Sequence, residues 1–166
     1  MASGIFSNPN YTTALRLAPL ITSSATVTFV GNQQWIFELF TRPELVAQGS
    51  KTFLPPWFSK AFCIGMPKVV GLVTFTAIGA VLNLHSSPRG AQRWYAAGAV
   101  LSAAHLLFVP ALVGRAKGVV EDTEEEGRCL GEMKGWLRVN AVRASTVDVG
   151  AWICCLVAAV KSLRPV

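Results

Sequence analysis

Charge is what this sequence has least of. Only 14% of its 166 residues are Asp, Glu, Lys or Arg, against roughly 25% in an average soluble protein. None of those charges falls from Leu17 to Phe37, from Val69 to Pro88 or from Trp94 to Gly114. Each gap is about 20 residues, the length a helix needs to cross a ~30 Å hydrocarbon layer. A soluble four-helix bundle would carry a polar stripe along each helix, which these gaps exclude. The expected fold is all-α, an integral membrane four-helix bundle.

Other absences narrow the chemistry. The start, "MASGIFSNPN", lacks the basic residues, short apolar core and small-residue cleavage site of a secretory leader, so the first span is expected to stay. No GxGxxG, Walker or zinc pattern occurs, which argues against a nucleotide or metal enzyme. Cys63, Cys129, Cys154 and Cys155 show neither CxxC spacing nor a Cys/His metal pattern, and read as packing residues. The net charge of +6 raises nucleic acid as a partner. Yet no Lys/Arg cluster is interleaved with aromatics, and the basic residues sit in loops and at helix ends, as in membrane proteins. A bis-histidine haem fails on depth: His85 lies at a turn and His105 about 18 Å into its span, whereas axial ligands must meet one iron.

What is present divides into four spans of a single domain covering residues 1–166, at about 13–40, 58–84, 93–114 and 134–163. The loop "TRPELVAQGSKTFLPPW" carries prolines and a glycine that are expected to end helices. The short turn "HSSPRGAQR" forces the second and third spans to be antiparallel neighbours. The run "EDTEEEGR" reads as a solvated loop rather than a metal site. An even number of spans puts both termini on the side of the short turn. The positive-inside count is divided between the two sides and leans toward cytosolic termini.

Polar groups inside such a bundle are costly and tend to mark a site. At about 1.5 Å per residue from the short-turn side, His105 lies roughly 18 Å deep, Asp148 about 22 Å, Lys68 about 24 Å and Arg143 about 30 Å. Asn32 and Gln34 reach about the level of Arg143, and Asn140 lies a turn beyond. Four helices thus bring polar side chains into the half nearest the long loops, a candidate pocket. On the fourth span Trp136, Asn140 and Arg143 fall within an arc of about 60°, with Asp148 about 80° from Asn140 at the edge of that face. Structural alternatives stand beside this reading. Arg143 can snorkel to the interface, Asn140 can be interhelical glue, Lys68 and Asp148 can form an ion pair, and His105 can be a hydrogen-bonded packing residue.

The pattern W-x3-N-x2-R, here Trp136, Asn140 and Arg143, resembles the small four-helix membrane proteins that include fungal anthrone oxygenases. "VAQGSKTFLPPW" is similar to that family's Gly-then-Pro segment before the second span. "HLLFVPALVG" is similar to the end of its third span, where a proline closes the helix. The sequence departs from the family after that proline, where Ala111 and Leu112 replace a small polar pair.

The resemblance implies oxidation of a polyketide anthrone to the anthraquinone by molecular oxygen, without flavin or metal. Such chemistry needs a base, donors for an oxyanion and a dry pocket. His105 is the candidate base, a position not matched to the family's pattern. Asn140 and Arg143 are the candidate oxyanion donors. Trp136, Asn32, Gln34, Lys68 and Asp148 are candidate substrate contacts. The expected partners are the lipid bilayer and a hydrophobic aromatic small molecule, with self-association left open. The expected location is the endoplasmic reticulum or a related endomembrane. Two other functions fit the same residues: an isomerase or cyclase on this scaffold, or a tetraspan scaffold protein whose polar groups only specify helix pairing.

Overall fold

The computed structural model describes residues 9–122 and 128–163, and among them every regular element is helical. Helix α1 (Pro9–Leu39) leads through the short α2 (Pro43–Ala47) into α3 (Ser50–Ser86). The third span is α4 (Arg89–Ala104), a 3-10 turn (His105–Phe108) and α5 (Val109–Val120). The fourth is α6 (Cys129–Arg143), a π turn (Ala144–Asp148) and α7 (Val149–Leu163). These four stretches are long and apolar enough to cross a membrane. Around the bundle, α1 packs on α3 and α7, α4 packs on α3 and α7, and α5 packs on α6. Large apolar side chains such as Ile21, Phe75, Val100 and Leu107 face outward, as lipid contact requires. The acidic run expected in a solvated loop falls mostly on residues 123–127, outside the described residues.

The second span starts eight residues earlier than expected, because Pro55 and Pro56 do not end it; they lie inside α3. A proline in a helix leaves the carbonyl four residues before it without its usual donor. Here the carbonyl of Lys51, four before Pro55, accepts a weak contact from Cys129 Sγ at 3.9 Å. Pro19 inside α1 is repaired more fully. Asn83 Nδ2 donates to the Leu15 carbonyl at 2.8 Å, the acceptor that Pro19 leaves unserved. The proline ring itself rests on Gly79, where a Cβ would come within 3.2 Å of Pro19 Cγ. The break between α2 and α3 falls at Gly49, whose φ of 90° is the only positive value among the described residues, a conformation that L side chains rarely adopt.

One end of the bundle is tied by Arg16, which donates to the Ser162 carbonyl at 2.7 Å and the Ser86 carbonyl at 3.4 Å. Tyr95 Oη donates to the Arg16 carbonyl at 2.8 Å. The start of α1 and the ends of α3 and α7 therefore share one side. Sidedness is directly measurable in a chain with its four cysteines replaced. Gln48→Cys and Glu121→Cys are expected to react with a membrane-impermeant maleimide from one face, and Arg89→Cys from the other. Labelling of all three from the same face would remove the four-span topology.

Candidate active site

Two interruptions of regular helix build the site. Pro110 was expected to close the third helix, and it does not. Its ring clashes with a straight α-turn before it, and the chain tightens into the 3-10 turn His105–Phe108 before continuing as α5. Opposite, the fourth span widens into a π turn at Ala144–Asp148. In an ideal α-helix Arg143 and Asp148 would project about 140° apart. A π turn spaces bonded residues five apart, which brings those two side chains to the same face. Carbonyls near the widening are served by hydroxyls: Ser145 Oγ donates to Ala141 at 2.8 Å and Thr146 Oγ1 to Val142 at 2.6 Å. Such back-bonding is a local alternative to the backbone ladder.

The result is a chain of buried polar groups. His105 Nδ1 and Asp148 Oδ1 are 2.6 Å apart. Arg143 Nε lies 3.5 Å from Asp148 Oδ2. Arg143 Nη2 donates to Asn140 Oδ1 at 2.6 Å, and Asn140 Nδ2 donates to Gln34 Oε1 at 2.8 Å. Arg143 is only 4% exposed, so it turns into the bundle rather than snorkelling outward. A carboxylate at this position accepts from Nδ1–H of the imidazole, and in that tautomer Nε2 is the basic atom.

His105, Arg143 and Trp136 line one small cavity of about 20 Å³, completed largely by apolar residues such as Met66, Val69 and Leu112. A cavity this size holds about one water-sized molecule. Trp136 is edge-on to Phe37 at 5.2 Å and to Phe58 at 5.6 Å, so its ring is fixed by protein aromatics. Its Nε1 is buried without a hydrogen-bond partner, as is Nε of Arg143. Trp136 and Arg143, each with a buried N–H that has no hydrogen-bond partner, thus line the same cavity as His105, a set of groups suited to proton removal and to holding a developing oxyanion.

Five of the sequence candidates, His105, Asp148, Arg143, Asn140 and Gln34, form the polar chain, and Trp136 borders the same cavity. Asn32 and Lys68 do not join it. They are exposed and line a separate cleft between α1 and α3. The alternative pairing of Lys68 with Asp148 is replaced by the contacts of Asp148 with His105 and Arg143. Gln33, which borders both the cavity and the cleft, was missed. So were Ser23, Thr26, Thr76 and Ser102, which gather beside Asp148. Their signal was present as hydroxyls in charge-free spans, but such hydroxyls commonly bond only their own helix. Thr26 does so, to the Thr22 carbonyl at 2.9 Å. Among the described residues no three His, Cys, Asp or Glu side chains cluster as metal ligands would.

No family model and no solved structure matches the chain significantly. Curated relatives do match over nearly its whole length. It is 30% identical to epoxidase pydX of Acremonium sp, over 90% of this chain and 94% of that protein. It is likewise 30% identical to epoxidase gkaX of Penicillium citrinum, with the same coverage of 90% and 94%. Oxaleimides biosynthesis cluster protein N of Penicillium oxalicum is 26% identical, over 90% of each chain. These names concern epoxidases and a biosynthetic cluster; none of the three is named as an anthrone oxygenase, so the resemblance carries to fungal tailoring proteins and not to that activity in particular. The chain belongs to the fungal family that includes the epoxidases pydX and gkaX.

Proposed function

We propose that the protein is a membrane-bound oxidative tailoring enzyme of fungal secondary metabolism, which oxygenates a conjugated apolar molecule with molecular oxygen. The observation that carries this reading is the buried His105–Asp148 pair beside a small apolar cavity. His105 Nε2 removes a proton from a carbon acidified by conjugation. The resulting carbanion passes one electron to oxygen, and the radical pair combines to a carbon-bound peroxide anion. Arg143 and Trp136 supply N–H groups for the enolate and peroxide oxygens, while Asn140 holds Arg143 in place.

Two outcomes follow from that peroxide, and each balances without an external reductant. If its terminal oxygen adds to a neighbouring electron-poor alkene, the O–O bond breaks, an epoxide forms and an alkoxide recovers the proton from His105. Both oxygen atoms then stay in the product. Epoxidation is favoured by the names of the relatives. If the peroxide instead loses water, the carbon becomes a carbonyl and one oxygen atom stays. That is the anthrone-to-quinone reaction, favoured by the pattern of Trp136, Asn140 and Arg143. Both routes need no flavin or metal, and an apolar substrate reaches the site from an endomembrane such as the endoplasmic reticulum.

A deletion strain of the source organism is expected to accumulate the unoxidised precursor. Supplied to membranes containing the protein under ¹⁸O₂, that precursor should gain two labelled atoms on the epoxide route or one on the quinone route. An unlabelled product, as an isomerase or cyclase would give, sinks the oxygenase reading. A strict requirement for NADPH or a chelatable metal sinks the cofactor-free route.

A further inference from the structure

The cavity beside His105, at about 20 Å³, is too small for anything but the reacting atoms. Next to it, between α1 and α3, lies an open cleft of about 270 Å³. The two share Gln33 and Gly65 in their linings, so one thin wall separates them. At that wall the absence of a side chain matters: a Cβ on Gly65 would lie 3.0 Å from Gln33 Nε2 and 3.5 Å from Phe29. The cleft is walled by Phe29, Ile36, Phe37, Trp57 and Ile64, a surface for flat or extended apolar groups. Its polar groups are Asn32, Gln33 and Lys68. Lys68 is the only charged side chain in the lining and forms no ion pair among the described residues. It sits at the edge of the charge-free stretch 69–88. An ammonium bordering apolar surroundings gains most from an anion that completes a charge-assisted pair.

We propose that the α1–α3 cleft is the substrate-binding subsite, and that it takes an elongated apolar molecule with an acidic head group. The head is held by Lys68 and Asn32, the reacting carbon lies about one helical turn away at the Gln33–Gly65 wall facing His105, and the apolar body runs on toward Trp57 and Phe37. This rests on the oxygenase reading for the identity of the occupant, but the cleft's selectivity is testable without turnover. Substrate thus approaches sideways from the bilayer between α1 and α3, and only its reacting carbon meets the polar chain.

The probe is cis-parinaric acid, a fluorescent polyene carboxylic acid, with its methyl ester as the neutral counterpart. Binding is read by energy transfer from tryptophan in protein purified in a neutral detergent, with protein-free micelles as background. The acid is expected to bind at least about tenfold more tightly than the ester. Lys68→Met should remove that difference by weakening the acid alone. Gly65→Leu, which drives a side chain into Gln33 and Phe29, should weaken both forms. Arg138→Ala, at an exposed position of α6 outside the cleft, should leave both affinities unchanged. Equal binding of acid and ester to the wild-type protein overturns the proposal. So does affinity insensitive to Lys68→Met and Gly65→Leu, or displacement of the acid by stoichiometric dioleoylphosphatidic acid, which would make the cleft a lipid site. Acid-selective binding with no oxygen incorporation would defeat the oxygenase reading and leave the cleft standing.

Discussion

Asp148→Asn is expected to lower turnover by about 10⁴, the scale seen when the carboxylate behind a catalytic histidine becomes an amide. The Asp148 side chain lies 2.6 Å from Nδ1 of His105, where a carboxylate would accept the Nδ1 proton, and 3.5 Å from Arg143 Nε. An amide of the same shape can offer its NH₂ to Nδ1 instead, which puts the imidazole proton on Nε2 and removes the base. The amide still fills the space, so the yield of folded protein should stay close to that of the wild type. Asp148→Ala removes the group altogether and leaves an arginine and a histidine buried without their acceptor. Breaking a buried pair from one side costs about 3–5 kcal/mol, so this variant should lose folded protein as well as activity. Turnover per folded molecule, with thermal unfolding followed by tryptophan fluorescence, separates the two effects. An Asp148→Asn variant that oxidises the precursor at the wild-type rate would reduce Asp148 to a packing role.

Much of this arrangement was legible as depth, and little of it as direction. The charge gaps located four spans, and a constant rise per residue put His105, Asp148, Arg143 and Gln34 in the same half of the bundle. Direction failed where the helices depart from 100° per residue. With that period Asp148 points to the edge of the Asn140 face, whereas the π turn at Ala144–Asp148 swings it under Arg143. No proline or glycine marks that turn in the sequence. The hydroxyls of Ser145 and Thr146, which serve nearby carbonyls, are weak advance signs. Proline was the opposite case, visible but misread. Pro55, Pro56 and Pro110 signalled helix ends, yet each is accommodated inside a span. The repair of Pro19 shows why: the carbonyl that lost its donor finds Asn83, 68 residues away in sequence, and such long-range rescue leaves no local trace. Lys68 was misplaced for a related reason, since depth alone does not say which side of α3 faces the bundle.

Arg143 is expected to matter for rate, and its conservative replacement is the informative one. The guanidinium makes two contacts at once, with Nη2 on Asn140 Oδ1 at 2.6 Å and Nε near Asp148 Oδ2 at 3.5 Å. A lysine ammonium is a point charge on a flexible stem and cannot reproduce that planar fork. Arg143→Lys keeps a positive charge beside Asp148, so much of the folding contribution should survive. If Arg143 also steadies an oxyanion that forms only in the transition state, kcat should fall by about 10²–10³ with KM little changed. Arg143→Ala should lose at least as much rate and, by stranding the carboxylate, stability too. Arg138 belongs to the same helix but is exposed to the outside, so Arg138→Ala should remain within about twofold of the wild type, as surface changes usually do. An arginine that serves only to neutralise Asp148 predicts a different pattern: near-normal kcat for Arg143→Lys, with any deficit confined to the amount of folded protein. Measuring kcat and KM per correctly inserted molecule for these three variants distinguishes the two, and a rate defect in Arg138→Ala exceeding that of Arg143→Lys would place the reactive face on the wrong side of α6.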